Sequence, residues 1–153
     1  YLEYDYGDDG YILNYIPREI GKLTHLTSLS FTLDSDYCKE IPEEIGMLTH
    51  LEGFMITAYG FDGNEVHLPS SIVNLTQLDL ISFDGDISSS SIELMLQNSK
   101  YVRRLFISNN QKLKTLPENI FSSLKELVLE NNPNLLLTPK QSQCIQKKEL
   151  PPI

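Results

Sequence analysis

A chain of 153 residues, 41% hydrophobic and 22% charged, has room for one packed domain and too much apolar content for disorder. Its formal charge of −9 disfavours nucleic acid and anionic membranes as main partners. It holds no run of about 18 apolar residues, so no segment is expected to span a membrane.

The charge is unevenly placed. Residues 1–100 hold 17 acids against 4 Lys/Arg, a net of −13, and residues 101–153 hold 4 acids against 8 Lys/Arg, a net of +4. Such asymmetry orients a charged partner, or else reflects a solvated acidic surface. The first residues, YLEYDYGDDG, lack a basic start followed by an apolar run, so no signal peptide is expected in them.

In chain order, the pattern L-x-x-L-x-L predicts six short strands. Its apolar positions are Tyr1/Tyr4/Tyr6, Leu26/Leu29/Phe31, Leu51/Phe54/Ile56, Leu78/Ile81/Phe83, Val102/Leu105/Ile107 and Leu124/Leu127/Leu129. The starts lie 25, 25, 27, 24 and 22 residues apart, a near-constant period that marks a repeat architecture. Between strands the chain also repeats. IPREIGKLTHLTSL (16–29) and IPEEIGMLTHLEGF (41–54) share nine of fourteen positions, and LPSSIVNLTQLDLI (68–81) is a third copy. The apolar-Pro pair recurs at Ile16-Pro17, Ile41-Pro42, Leu68-Pro69 and Leu116-Pro117, with Ile20, Ile45, Ile72 and Ile120 three residues after the Pro. The fourth unit departs, with Ile92-Glu93 and Leu96 instead. The turn after each strand carries Asp9, Asp34, Tyr59, Asp86, Asn110 or Asn132. Asn suits that turn, because its side chain can bond backbone groups of stacked neighbours; Asp does so in part and Tyr59 does not.

These motifs resemble the leucine-rich repeat over about residues 1–137, with units starting near 1, 26, 51, 78, 102 and 124. The variant IPxxIGxLTxLxxL is similar to plant-type repeats, as in receptor-like proteins and nucleotide-binding immune receptors. The resemblance implies an α/β solenoid, curved and right-handed, with six short parallel strands on the concave face and an irregular or short helical convex side. Residues 138–153 then form a C-terminal cap remnant and tail. NNPNLLLTPKQSQC (131–144) resembles the cap of plant-type extracellular repeats but has one of its two cysteines, and KKELPPI reads as a loose tail.

Physical chemistry leads the same way. Alternation along a strand sends the second and third apolar residues of each trio inward and the intervening residues outward. Pro at the strand exit removes a donor where the chain leaves the ladder. Gly21 and Gly46 fit a left-handed or tight exit from a short helical turn. The first strand begins at Tyr1 and leaves an unpaired edge, so further protein ahead of it or a partner over it is expected. A structural subunit docked through that edge in a larger assembly is accordingly the alternative functional reading.

Cys38 and Cys144 lie four units apart, roughly 19 Å at ~4.8 Å per strand, beyond the ~7 Å Cα reach of a disulfide. Free thiols favour a reducing, cytoplasmic compartment. Against that stands a glycosylation sequon, Asn74-Leu75-Thr76, which is also ordinary repeat text beside KLT and MLT. His25 and His50 share one repeat position, but Gln77 and Tyr101 follow on the next rungs, so the period explains the pair and no metal is expected. The acidic pairs Asp8/Asp9, Asp34/Asp36 and Asp84/Asp86 do not continue as a calcium loop. No phosphate loop, CxxC or nucleophile elbow exists, and neither catalysis nor a cofactor is expected.

What remains is recognition of a protein or peptide through the variable strand positions. Met55, Leu80, Phe106 and Val128 are apolar groups held outward, and Arg104 stands beside Phe106, a pairing favoured at interface hot spots. Glu52, Asp79, Ser82 and Asp84 complete the expected face. The long insert TAYGFDGNEVH (57–67) offers Tyr59 and Phe61 as loop contacts, or packs on its own aromatics.

Overall fold

The computed structural model describes residues 12–118 and 120–147. The expected first strand (Tyr1, Tyr4, Tyr6), the Asp8/Asp9 pair and most of the KKELPPI tail lie outside the described residues. Among the described residues the fold is α/β, with one sheet of five parallel strands in the order β1-β2-β3-β4-β5. The strands are β1 Ser28–Asp34, β2 Gly53–Tyr59, β3 Leu80–Asp84, β4 Arg104–Ser108 and β5 Glu126–Val128. Each falls on one of the five apolar trios that lie within the described residues, and sequential neighbours pair throughout, an arrangement compatible with a parallel-strand solenoid. The expected count of six becomes five because the remaining trio is not among those residues.

Register follows the trios. Leu29 pairs with Phe54, Phe54 with Ile81, Ile81 with Leu105 and Leu105 with Leu127. The next inward row is Phe31, Ile56, Phe83 and Ile107, and all these residues are buried. Phe54 meets Phe31 and Phe83 edge-to-face, each with ring centroids 6.1 Å apart, so three consecutive strands share an aromatic column. Isolated parallel bridges join Leu13 to Leu33, Glu40 to His67 and Val66 to Ile87.

The return segments are 3₁₀ helices, η1 Arg18–Lys22, η2 Glu43–Met47, η3 Ser70–Asn74 and η4 Ile120–Ser122. Pro17, Pro42 and Pro69 stand in extended conformation immediately before η1, η2 and η3, where a missing N–H costs nothing. Gly21 and Gly46 correct the sequence expectation. They lie inside η1 and η2, and the positive-φ glycines among the described residues are Gly63 and Gly85. Their reason is close approach between stacked units. A Cβ on Gly46 would stand 2.5 Å from Ser71 Cβ and 2.6 Å from Ser71 O, and one on Gly21 would stand 2.8 Å from Glu44 Cβ.

In the fourth unit, which lacks the apolar-Pro pair, the chain forms a true α-helix, α1 Ser89–Asn98. It buries Ile92, Met95 and Leu96, and its Ser91 hydroxyl accepts the Leu68 N–H at 2.9 Å. A second helix, α2 Pro139–Lys147, packs beside η4. Thr138 and Gln141 cap it reciprocally: Gln141 N–H donates to Thr138 Oγ1 at 3.2 Å, and Thr138 N–H donates to Gln141 Oε1 at 3.0 Å. The same buried Gln141 amide donates to the carbonyls of Leu116 and Pro117, tying α2 to the preceding unit. Cys38 and Cys144 are free thiols, and burial pushes the Cys38 thiol up from its ordinary value.

The turns after the strands are held by side chains. Buried Asn110 donates to Ile87 O at 2.9 Å and accepts from the N–H groups of Lys112 and Leu113. The Asn132 side chain, one unit later, bonds back to the preceding unit, donating to Ile107 O at 2.9 Å and accepting from Asn110 N–H at 3.1 Å. In the turns after β3, β4 and β5 the residue one earlier has left-handed backbone, at Gly85, Asn109 and Asn131, residue types that adopt this conformation readily.

Candidate functional site

The side of the sheet opposite the core presents three registered rows. The first runs Ser28, Gly53, Leu80, Arg104, Glu126; the second runs Ser30, Met55, Ser82, Phe106, Val128; the third runs Thr32, Thr57, Asp84, Ser108. Strand alternation places them together, since Leu29, Phe31 and their counterparts point to the core. Met55, Leu80, Ser82, Asp84, Arg104, Phe106 and Val128 are all half-buried on this one face. Within about 10 Å, two strand spacings, Met55 and Phe106 flank Ser82.

Glu52 and Asp79 sit one residue ahead of their strands, in a row continued by Arg103 and Lys125. The row is locked by backbone bonds: Asp79 N–H to Glu52 O at 2.8 Å, Arg103 N–H to Asp79 O at 3.0 Å and Lys125 N–H to Arg103 O at 2.7 Å. Asp79 is gripped by two guanidinium groups, Arg103 Nε at 2.7 Å and Arg104 Nη2 at 3.0 Å. The Arg103 guanidinium, then that of Arg104, holds the Asp79 carboxyl below its ordinary value of 3.8. Charge on this edge of the face is therefore matched internally. Sequence reasoning selected Asp79 and Arg104 but missed Arg103; the stacking of Arg103 on Asp79 across the period was the available signal.

The opposite edge is built by the insert. Asp36 accepts Phe61 N–H at 2.9 Å, Asp62 N–H at 3.2 Å and Asn64 Nδ2 at 3.2 Å. Those bonds, the Phe61 N–H foremost, hold the Asp36 carboxyl below 3.8. From the other side Lys112 Nζ donates to Gly63 O at 2.6 Å, across 49 residues of sequence. The loop is thus fastened at both flanks while Phe61, at its tip, is fully exposed. The Phe61 ring is therefore not one the loop packs on. Tyr59, at the end of β2, is about half exposed. Beside it lies a cleft of about 300 Å³ lined by Tyr59, Asn64, Asp84, Asp86, Asn109 and Gln111, among others. Asp36 appeared in sequence only as half of an acidic pair, and its role as loop anchor depends on a partner 25 residues away.

The His25 and His50 rings are neighbours, tilted 35° with centroids 6.4 Å apart, and His50 Nδ1 lies 3.1 Å from Thr24 O. Among the described residues there is no group of three or more His, Cys, Asp or Glu able to hold a metal ion. Asn74 is the last residue of η3 and exposed. Among the described residues no helix is long and apolar enough to cross a membrane.

No known family model matches the chain, and no curated protein is significantly similar to it.

Proposed function

We propose that this chain is a plant-type leucine-rich-repeat solenoid, curved and right-handed, whose concave face binds a protein or peptide ligand without catalysis. The observation that carries the reading is the middle row of the sheet face. Met55, Phe106 and Val128 are held in register on rigid strands, yet remain partly open to water. Aligned apolar groups on a surface mark interaction sites, and Arg104 adjoining Phe106 supplies the polar partner such sites favour. The repeat assignment is supported by five trios falling on five strands, and by the Asn110 and Asn132 side chains bonding backbone in the neighbouring unit. A setting in signalling or innate immunity rests on analogy with plant-type repeats.

The test is affinity capture with wild-type chain, with Phe106→Glu, and with Phe106→Glu plus Arg104→Glu. Wild type should recover partners that both variants lose while their thermal melts stay within a few degrees of wild type. Recovery of the same partners by the folded variants places the site elsewhere. The alternative, a structural subunit docked through its N-terminal edge, puts its contact on residues outside those described; light scattering showing a monomer argues against it.

A further inference from the structure

The two long edges of the sheet face differ in charge balance, and this difference specifies the partner. At the N-terminal ends of the strands, Asp79 is neutralised by Arg103 and Arg104. At the C-terminal ends, Asp84 and Asp86 line the cleft beneath the insert, with Asp36 and Asp62 in the loop fastening above it. Of the cations near this edge, Lys112 has its ammonium on the Gly63 carbonyl and Lys39 acts on the Asp36 carboxylate, leaving the acids in excess. Asp84 receives one neutral donor, Asn109 Nδ2 at 2.7 Å, and Asp86 one backbone N–H, that of Gln111 at 2.8 Å. Asp84 and Asp86 thus bond neutral donors, whereas Asp79 is paired with two guanidinium groups.

We propose that the ligand of this face is a cationic protein segment with one apolar side, lying across the strands. Its apolar residues meet the Met55–Phe106–Val128 row, and its Lys or Arg side chains point to the Asp84 edge beneath the Phe61 loop. The proposal rests on the recognition reading above and adds the partner's charge and orientation. Three strand steps from β2 to β5 span ~14 Å, the reach of about four to five extended residues. The net charge of −9 draws such a segment in from a distance, with a dependence on salt. The exposed Phe61 ring stands on the same edge, where it can cover the apolar stems of those basic side chains.

The probe is a displayed library of random peptides of about ten residues, selected on the full chain and on folded Phe106→Glu and Asp62→Lys/Asp84→Asn variants. Wild type is expected to enrich peptides in which Lys and Arg exceed the unselected library about twofold, alongside apolar residues. Their binding should fall about tenfold on Asp62→Lys/Asp84→Asn, and weaken with added salt. Asp62→Lys alone, at an exposed side chain, serves if the double variant does not fold. Peptides that depend on Phe106 but are neutral or acidic, and indifferent to the Asp62 and Asp84 changes, overturn the cationic partner while leaving the recognition face intact. Peptides indifferent to Phe106→Glu, or no enrichment at all, overturn the recognition face and this proposal with it.

Discussion

The Asp36 carboxylate accepts the backbone N–H of Phe61 at 2.9 Å, so a side chain in the second unit sets the position of an exposed ring in the third. Asp36→Ala removes the acceptor for three donors at once. Amide exchange at Phe61 and Asp62 should accelerate about tenfold, while the core strands exchange as before. Unchanged exchange at those two amides means that other contacts fix the loop.

The same carboxylate gives the loop a pH dependence with a definite sign. Its folded value lies below the ordinary 3.8, so the stabilisation is fully present above that value and is lost as pH falls through the lower folded one. The amide resonances of Phe61 and Asp62 should titrate with a midpoint below 3.8. A midpoint at or above 3.8 contradicts the anchoring role.

Phe54 joins three units through its edge-to-face contacts and is fully buried. Phe54→Ala should cost about 3–5 kcal/mol and lower the melting temperature by about 10 °C. Met55→Ala, one residue along but on the opposite face, should cost under about 1 kcal/mol. Equal losses from the two would contradict the assignment of faces.

Asn110→Ala strands one buried and one partly buried backbone donor, and one carbonyl, that the wild-type side chain satisfies. A loss of about 2–4 kcal/mol is expected by chemical denaturation. Asn109→Ala, at an exposed position, should cost less, mainly through the left-handed backbone that Asn tolerates and Ala resists. A smaller loss at 110 than at 109 would show that the turn is held otherwise.

Strand positions, register and facing were legible because the trio's spacing fixes which residues alternate inward, and one unit's solution is repeated by the next. The outward set Met55, Leu80, Ser82, Asp84, Arg104, Phe106 and Val128 follows from that alternation and shares a face in the structure. Features that depend on distances between units were not legible. Gly46 reads as a turn residue in a single unit, and its reason appears only when Ser71 stacks on it. The loop anchors Asp36 and Lys112 bond across 25 to 49 residues with no periodic signal. Helix α2 is different: Thr138-Pro139-Lys140-Gln141 is a capping box with Pro at the first helical position, a signal present in the letters but obscured by the polar composition around it.

In the proposed function, ligand contact is made on the sheet face rather than behind it. The most direct measurement places a photo-crosslinking side chain at Ser82, midway between Met55 and Phe106, and in a second protein at the exposed Gln97 on α1. A captured partner should crosslink from position 82 and not from position 97. Crosslinking from 97 with none from 82 would contradict the claim.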